Sequence, residues 1–328
     1  MNRIVLRAAL SALIGLGVLL AGCAAIPAKP AAAPGSGYQV TDDSGYTLTL
    51  PAKPRRIVSL SYSSDEILAE LVELKRIAAF SRWADDPGIT FITPEQAAAV
   101  AGRAQPVAEA LLALQPDLVV ATTGTRPEEI ATLREIRIPV FVSHSPRSVE
   151  QVKRRVLSLA RAVGEEDNGR RLVARMEQRL QVLAATLSPL DPDKRKCVMA
   201  FDFVGVIGSR NNLLADLFRY ANLRNGAGEA GFDNGETRLS KEQIVAVNPD
   251  LFLLPTWNYD GRNSVEAYRQ QFLDDPALQT VAAVRNNRVF LISDRYRYVG
   301  SQHAVDSIEQ FARAAYPELF AKSAKESL

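Results

Sequence analysis

Few residues in this sequence are of the types that build a catalytic or metal centre. The chain has two histidines, His144 and His303, and two cysteines, Cys23 and Cys197. A protein-only zinc site usually needs three or four N, S or O ligands, so we expect no dedicated transition-metal site and no resident cofactor. No serine lies in a G-x-S-x-G motif, and no nucleophile is paired with a base by spacing. An enzyme is not excluded, because a fold does not fix a function, but no residue argues for one.

One glycine-rich segment, Gly226–Gly231, matches the dinucleotide pattern G-x-G-x-x-G. That pattern binds a dinucleotide only between a strand and the N-terminus of a helix. Phe232–Gly235 follows it here, so we interpret the segment as a loop. The phosphate-binding motif G-x-x-x-x-G-K-[ST] does not occur in the sequence.

Aromatic and basic side chains gather directly after predicted strands. Ligands of open α/β sheets bind beyond the carboxyl ends of the strands. Both tryptophans of the chain stand there, and an amphipathic aromatic can stack on a large planar or cyclic ligand. Arginines at such positions favour an anionic ligand through charge-assisted hydrogen bonds. The candidate ligand contacts are Tyr62, Arg82, Trp83, Thr125, Arg126 and His144 from the first half and Trp257, Tyr259, Arg295, Arg297 and Tyr298 from the second.

Two related segments position these residues. EALLALQPDLVV at Glu109–Val120 recurs as EQIVAVNPDLFL at Glu242–Leu253, an offset of 242 − 109 = 133 residues. Proline disfavours helix in the residue before it, so each segment predicts a short helix that ends before the proline. The apolar run that follows is typical of a buried parallel strand. One such unit in each half predicts two similar lobes.

The remaining pattern alternates strands with helices, which predicts a parallel α/β sheet in each lobe. A helix is expected at Ser148–Val163. A second, at Glu165–Leu187, carries one apolar stripe and is long enough to join the lobes as a rigid spacer. We therefore expect an N-terminal lobe at 46–164, a connecting helix at 165–190 and a C-terminal lobe at 191–328.

The N-terminal residues are of a different kind. Arg3 and Arg7 precede an apolar run that is typical of a signal peptide, here residues 1–22. The run ends in Leu-Ala-Gly-Cys, which resembles the lipobox of bacterial lipoproteins and implies lipidation of Cys23. An ordinary secretory signal with an incidental cysteine is the alternative. The Ala- and Pro-rich residues after it predict a lipid anchor and flexible tether over 23–45.

Charge argues against one class of partner. The formal net charge is +2, and removal of residues 1–22 takes away two arginines and no acids, which leaves about 2 − 2 = 0. A neutral body is not expected to bind nucleic acid.

Taken together, these features resemble the substrate-binding lipoproteins of ABC importers, in particular the helical-backbone group that captures vitamin B12, ferric siderophores and haem. The resemblance covers about residues 55–320 and is most specific in the x-Pro-Asp-Leu segments. It implies two lobes joined by a single long helix, a ligand cleft between them, an extracytoplasmic location at the membrane and an ABC permease dimer with ATPase subunits as partner.

In that family a glutamate on each lobe pairs with arginines of the permease, and by position these are Glu109 and Glu242. A simpler interpretation is that each glutamate favours a helix N-terminus; Ser240 and Gln243 form the pattern of a capping box.

The ligand stays open between two classes at this point. A ferric siderophore or haem fits both the aromatics and the arginines, whereas a corrinoid needs the arginines less. A lipid-anchored enzyme that uses the same cleft, and a lipoprotein scaffold without a small ligand, are the alternatives from other classes.

Overall fold

A computed structural model describes residues 37–232 and 238–326 of the chain, and these residues form one compact unit. The predicted signal peptide at 1–22 and the lipidation site Cys23 lie outside them. No helix within these two ranges is both long enough and apolar enough to cross a membrane.

The fold begins earlier than the sequence predicts. Residues up to 45 were expected to be tether, but strand β1 (Tyr38–Thr41) pairs antiparallel with β2 (Thr47–Leu50). Val40, Leu48 and Leu50 of this hairpin are buried. The buried carboxylate of Asp42 accepts hydrogen bonds from the backbone N–H groups of Tyr46 and Val142, which binds the turn to the first lobe. The alternating apolar residues of this hairpin are buried and hold it in the fold, although the Gly- and Ser-rich sequence around them is typical of a flexible segment.

The first lobe is built on a five-stranded parallel sheet in the order β5-β4-β3-β6-β7. Four of its strands are mainly apolar and buried, as is typical of parallel sheets, whereas the edge strand β5 is not. The strands are β3 (Ile57–Ser59), β4 (Ile77–Ser81), β5 (Gly102–Ala104), β6 (Leu118–Thr122) and β7 (Val140–Ser143), and the helices are α1 (Tyr62–Leu71), α2 (Pro94–Ala99), α3 (Ala108–Ala113) and α4 (Pro127–Glu135).

The long connecting helix is confirmed in the place predicted. Helix α5 (Val149–Ala162) ends near Gly164, which has φ +72°, and α6 runs over Glu166–Leu187. Leu172, Met176 and Leu183 of its apolar stripe are buried. Gly169 packs against Ala160 of α5 so closely that an added Cβ would lie 2.4 Å from the Ala160 side chain.

The second lobe carries the other sheet, in the order β10-β8-β11-β12. These four strands are parallel, but β9 pairs antiparallel with β8, a hairpin that the sequence analysis did not predict. The strands are β8 (Cys197–Phe201), β9 (Val206–Ile207), β10 (Arg224–Asn225), β11 (Leu251–Leu254) and β12 (Val289–Leu291), and the helices are α7 (Leu213–Tyr220), α8 (Gly226–Glu229), α9 (Lys241–Val247), α10 (Val265–Asp274), α11 (Ala282–Arg285), α12 (Asp294–Arg297), α13 (Ala304–Ala315) and α14 (Pro317–Glu326).

The interpretation of Gly226–Gly231 as a loop is wrong, because its first residues form the short helix α8 directly after β10. The glycines there serve packing. A Cβ on Gly226 would lie 2.9 Å from Cys197 Sγ and 3.1 Å from the carbonyl oxygen of Val198. Cys197 itself is buried, and burial raises the pKa of its thiol to about 11, so it is an apolar filler.

The repeated segments fold alike, as the helix–turn–strand units α3–β6 and α9–β11. The residue before each proline, Gln115 or Asn248, takes a left-handed conformation with φ of 47° or 49° and ends its helix. The aspartate of each segment accepts backbone hydrogen bonds from the neighbouring strand. Asp117 accepts from Arg56 N at 2.8 Å, and Asp250 accepts from Cys197 N at 2.7 Å. The shared x-Pro-Asp-Leu sequence therefore ends a helix and aligns two strands in both lobes.

One large apolar core runs through both sheets, and each lobe has a smaller core of its own. The large core includes Phe80 and Phe141 from the first sheet, Val198 from the second and Phe311 from α13. Because the lobes share this core, they are expected to move as one body. The lobe boundaries at 164 and 191 stay predictions.

Candidate functional site

An aromatic cluster lies where the carboxyl ends of the two sheets meet. Trp83 follows β4 of the first lobe, and Trp257 and Tyr259 follow β11 of the second. The ring centroids of the two tryptophans are 5.6 Å apart, and Tyr259 lies 6.1 Å from Trp83 and 5.5 Å from Trp257. Tyr259 is 70% exposed. The cluster thus presents aromatic faces and edges from both lobes to solvent, as the sequence predicts for three of its candidate residues.

Hydrogen bonds fix Trp257 in this cluster. Its Nε1 donates to Asp86 Oδ2 of the first lobe at 2.7 Å, and its backbone N donates to Asp294 Oδ2 at 2.8 Å. Gly88 leaves room for the indole, because a Cβ there would lie 2.5 Å from Trp257 Cδ1. The ring is therefore held before a ligand arrives, which lowers the entropy cost of binding.

One candidate arginine joins the cluster with its charge exposed. The guanidinium of Arg82 lies 4.2 Å from the centroid of the Trp83 ring, and the residue is exposed. A cation stacked on an aromatic face is attracted by the ring quadrupole, which positions it for an anionic group.

A cavity of about 260 Å³ is lined by residues of both lobes, and we refer to it as the interlobe cavity. Tyr62 from the first lobe and Tyr298 from the second both line it. The Tyr62 hydroxyl donates to the carbonyl oxygen of Tyr298 at 2.8 Å. Burial raises the pKa of each phenol to about 12, so both stay neutral donors at physiological pH.

Arg155 of α5 also lines the interlobe cavity, and sequence reasoning missed it. It is 4% exposed and donates to the hydroxyls of Ser63, Ser64 and Ser143 and to the Gly300 carbonyl. All four acceptors are neutral, and burial lowers the pKa of Arg155 to about 10. The sequence did contain a sign that Arg155 is buried, because it occupies a position in the apolar stripe formed by Val152, Val156 and Leu159.

Two buried carboxyls of α1 lie behind this region. Glu66 accepts hydrogen bonds from Thr90 and Phe91 of the first lobe and from Ser301 of the second. Desolvation raises the pKa of Glu66, and raises that of Asp65 to about 7. Glu66 thus joins the two lobes, whereas Asp65 bonds within the first lobe, and neither carboxyl is accessible to a ligand.

Arg297 has a structural role instead of the predicted ligand contact, whereas contact of Arg295 with a ligand stays a prediction. Arg297 is 3% exposed, pairs with Asp294 at 2.8 Å and donates to the Phe201 carbonyl, so its charge is used inside the second lobe. Arg295 is half-buried, with its guanidinium 5.0 Å from the Phe91 ring and 5.2 Å from the Tyr296 ring. A strand-end position alone did not separate such residues from those that face the cleft.

His144, Thr125 and Arg126 lie apart from the cluster. His144 is exposed and lines a different cavity of about 880 Å³, between the end of β7 and the outer face of α5, together with Arg147, Arg154 and Arg161. Arg126 is exposed and pairs with Glu129 at 2.5 Å. Thr125 accepts a hydrogen bond from Thr122 N in the turn after β6.

Metal chemistry has no assembled site in this part of the chain. Within the described ranges, no group of three or more His, Cys, Asp or Glu side chains is arranged to hold a metal ion. His303 stacks on Phe91 at 4.2 Å, and its Nδ1 is 2.6 Å from Asp306 Oδ2.

The two predicted docking glutamates are exposed at equivalent places. Glu109 lies in the first turn of α3 and Glu242 in the first turn of α9. The capping box of Ser240 and Gln243 is present. Hydrogen bonds with its own backbone and with the Ser240 side chain lower the pKa of Glu242, so this glutamate also interacts with the start of its helix.

Comparisons with known proteins agree with this architecture. The sequence model of one family, described as "Periplasmic binding protein", matches residues 57–296. A cobalamin-binding protein of Halobacterium salinarum is 26% identical over 212 residues, which is 64% of this chain and 56% of that protein. The Fe(3+) dicitrate-binding periplasmic protein FecB of Escherichia coli is 28% identical over 261 residues, 76% of this chain and 80% of its own.

Among solved structures, the periplasmic haem-binding protein RhuT of Roseiflexus sp. RS-1 is similar in fold. It superposes with a TM-score of 0.67 at 22% identity, over 81% of this chain and 99% of that one.

Proposed function

Because the chain belongs to the periplasmic binding protein family, we propose that it is an extracytoplasmic substrate-binding lipoprotein of an ABC importer. Its ligand is an iron complex, a ferric siderophore or haem, which it delivers to a permease dimer with ATPase subunits. Cys23 carries the lipid anchor, and the protein performs no catalysis.

One observation carries the proposal: aromatic rings from both lobes converge beside Arg82 where the carboxyl ends of the two sheets meet. Trp83, Trp257 and Tyr259 supply stacking surface for a large planar or cyclic ligand. Arg82 supplies an exposed cation beside the rings. Arg155 lines the interlobe cavity as a second, buried cation whose hydrogen-bond acceptors are neutral. The combination suits a large anion with apolar faces.

A corrinoid is the second candidate. The relative from Halobacterium salinarum is named for cobalamin, and the aromatic cluster fits a corrin ring as well as a porphyrin. Arg297, one of the four arginines first counted toward an anionic ligand, is paired inside the fold, which weakens the preference for an anionic iron complex over a corrinoid. Arg82 and Arg155 are the residues on which that preference now depends.

Direct titration tests the proposal. Both tryptophans of the chain lie in the cluster, so a bound haem or ferric siderophore is expected to quench their fluorescence, and the same titration with cobinamide or cobalamin serves as the alternative. Arg82→Gln is expected to weaken an anionic iron complex by about 1.5–3 kcal/mol if the hydrogen bond is charge-assisted, and a neutral corrinoid much less.

Visible spectra of the protein purified from a host supplied with iron and cobalamin identify the chromophore. Corrinoid bands together with no affinity for any iron complex favour the second candidate. No binding of either class would contradict the receptor function.

A further inference from the structure

The cavity of about 880 Å³ beside the outer face of α5 is lined by many arginines, and we refer to it as the basic cavity. Arg147, just before the helix, and Arg154 and Arg161 within it line the cavity at seven-residue intervals. Because seven residues make about two helical turns, Arg154 and Arg161 project from one face of α5. Arg155 and Arg170 complete the set of arginines.

The charge of the basic cavity differs from that of the chain as a whole. Its lining holds five arginines and two carboxylates, Asp43 and Glu166, which gives a formal net charge of 5 − 2 = +3 with histidine neutral. The chain after residue 22 has a formal net charge of about 0. The carboxylate of Asp43 is engaged, since it accepts hydrogen bonds from His144 N at 2.9 Å and from the Ser158 hydroxyl at 3.2 Å. Positive charge is thus concentrated on this side of the first lobe.

The acids closest in sequence to Arg154 and Arg161 are paired with other cations. Glu150, four residues before Arg154, pairs with Lys153 at 2.7 Å. Glu165, four residues after Arg161, pairs with two basic residues outside the helix at 2.6 and 3.2 Å. Among the described residues, neither arginine has an ion pair or a hydrogen bond through its guanidinium. Both guanidinium groups are therefore available to an external anion.

The other arginines of the lining are more constrained. Arg170 pairs with Asp167, whereas Arg147 and Arg155 donate hydrogen bonds to neutral groups. The two unpaired arginines of α5 are the residues expected to matter most for binding.

The segment that carries the predicted lipid anchor enters the fold beside the basic cavity. The hydroxyl of Tyr38, in the first strand, donates to the carbonyl oxygen of Ala162, the residue after Arg161, at 2.8 Å. Asp43, in the turn of the same hairpin, forms part of the cavity wall. From Cys23 to Tyr38 are 38 − 23 = 15 residues, and a chain of that length spans at most about 50 Å. An anchor at Cys23 would keep this side of the lobe within reach of lipid headgroups.

We propose that the basic cavity binds the phosphate groups of anionic phospholipids and so orients the anchored protein on its membrane. This rests on the proposed lipid anchor at Cys23, which supplies proximity, while Arg154 and Arg161 supply the cations. Basic clusters are attracted to an anionic lipid surface within about a Debye length of it. Tethering raises the effective concentration of the headgroups, so a modest attraction is sufficient. A volume of about 880 Å³ lies in the range of small-molecule pockets and admits a headgroup.

Co-sedimentation with vesicles tests the proposal. It uses the mature chain, residues 23–328, which retains the whole compact unit that begins at Gly37. The chain is produced without its signal peptide, so Cys23 carries no lipid and the result does not depend on the anchor. Vesicles of phosphatidylglycerol and phosphatidylcholine in equal parts are compared with vesicles of phosphatidylcholine alone. Wild type is expected to bind only the anionic vesicles and to be released by NaCl.

Arg154→Gln and Arg161→Gln are each expected to weaken binding to anionic vesicles about 5-fold, and the double variant about 25-fold. Arg137→Gln with Arg285→Gln is the matched control. Both control arginines are exposed, lie outside the lining of the basic cavity and remove the same charge. The control should bind as wild type does, and all variants should keep the wild-type melting temperature. An equal loss in the control would show that net charge alone drives binding and would overturn the proposed site.

Inorganic phosphate is the second probe, measured by calorimetry. Saturable binding of phosphate that depends on Arg154 and Arg161, without binding to anionic vesicles, would identify a site for a soluble anion and overturn the headgroup proposal. Fluorescence titration with haem, a ferric siderophore and cobinamide is made on the same double variant. Unchanged ligand affinity together with lost vesicle binding supports a separate site, whereas a parallel loss of ligand affinity would assign the cavity to the ligand site.

The two proposals can fail independently. If wild type does not bind anionic vesicles, the headgroup site is refuted, and ligand titration still decides the receptor function. If wild type binds the vesicles but no iron complex or corrinoid, the receptor function is contradicted and the headgroup site stands.

Discussion

Burial of the single carboxyl group of Asp65 is expected to make the stability of the whole protein depend on pH. It is 0% exposed and accepts hydrogen bonds from the backbone N and the hydroxyl of Ser81. Desolvation dominates over these bonds and raises its pKa from 3.8 to about 7. The folded state therefore holds a proton that the unfolded chain has already lost across this interval.

The sign of the resulting pH dependence follows from proton binding. A carboxyl whose pKa is raised by folding contributes stability that is fully present below pH 3.8 and is lost as pH rises through about 7. We expect the free energy of unfolding to fall from pH 5 to 7 by up to about 1.4 kcal/mol per pH unit from this group. Glu66, whose pKa is also raised, acts in the same direction.

Urea unfolding of wild type and Asp65→Asn between pH 5 and 8 checks this prediction. The amide keeps an acceptor for Ser81 N but cannot ionise, so the difference in unfolding free energy should shift in favour of the variant as pH rises. A difference that is constant with pH would contradict the raised pKa.

Among single residues, the sequence placed three aromatic residues at strand ends where they contact one another, but it did not distinguish exposed arginines from buried ones. Trp83, Trp257 and Tyr259 come together because large aromatics after strands have few other places to pack. Arg82 and Arg297 are equally plausible in sequence, yet one is exposed and the other is 0% exposed in its side chain beside Asp294. The ion pair with Asp294, three residues earlier, accounts for the burial of Arg297. The sequence predicts that pair only if the two residues are known to lie on one helix.

At the scale of elements, the sequence predicted what proline and periodicity control. The x-Pro-Asp-Leu segments and the α6 stripe were located correctly, because helix ends before proline and a 3.6-residue period are local properties. The β1–β2 hairpin start, β9 and α8 were missed. Each is only two to four residues long, and tertiary contacts rather than local preference determine them.

The packing of α5 on α6 depends on Gly169. An added Cβ would lie 2.4 Å from Ala160 Cβ, and overpacking of this kind costs about 1–3 kcal/mol. Alanine gains about 1 kcal/mol over glycine inside a helix, which offsets only part of that cost. Gly169→Ala is therefore expected to lower the free energy of unfolding.

Urea denaturation of Gly169→Ala measures the effect. Gly124→Ala is the control, because a Cβ there meets only Thr122 Oγ1, at 3.4 Å. A variant at 169 that is as stable as wild type would mean that α5 and α6 separate without cost, and the rigid-spacer argument would lose its basis.

For the whole molecule, the shared core and α6 limit how a ligand can enter. The interlobe cavity of about 260 Å³ is smaller than typical ligand pockets of about 300–1,000 Å³. The exposed aromatic side chains, Tyr259 above all, can move without disturbing the core. Rearrangement of these aromatic side chains, and not closure of two lobes about a hinge, is the expected response to ligand.

Small-angle scattering with and without bound ligand tests this. The radius of gyration should stay the same within error, since a hinge-type receptor closes through large backbone changes at loop residues and this chain has a 22-residue helix between its sheets. A clear decrease on binding would show that the lobes rotate despite their common core.

The rigidity of α6 also matters for delivery of the ligand to the permease. Glu109 and Glu242 lie on separate lobes, and a stiff spacer keeps their separation constant. We propose that together they fix the orientation of the ligand site over the permease. Each ion pair between one of these glutamates and a basic group of the permease contributes only about 0.2–1 kcal/mol at a solvent-exposed rim, and more where docking buries it.

Glu109→Ala with Glu242→Ala should therefore reduce uptake while ligand affinity stays at the wild-type value, and Lys at both positions should reduce uptake further by repulsion. Uptake of labelled ligand and fluorescence titration on the same variants separate the two effects. Should affinity fall in parallel with uptake, these glutamates serve the cleft or the fold and not the docking surface.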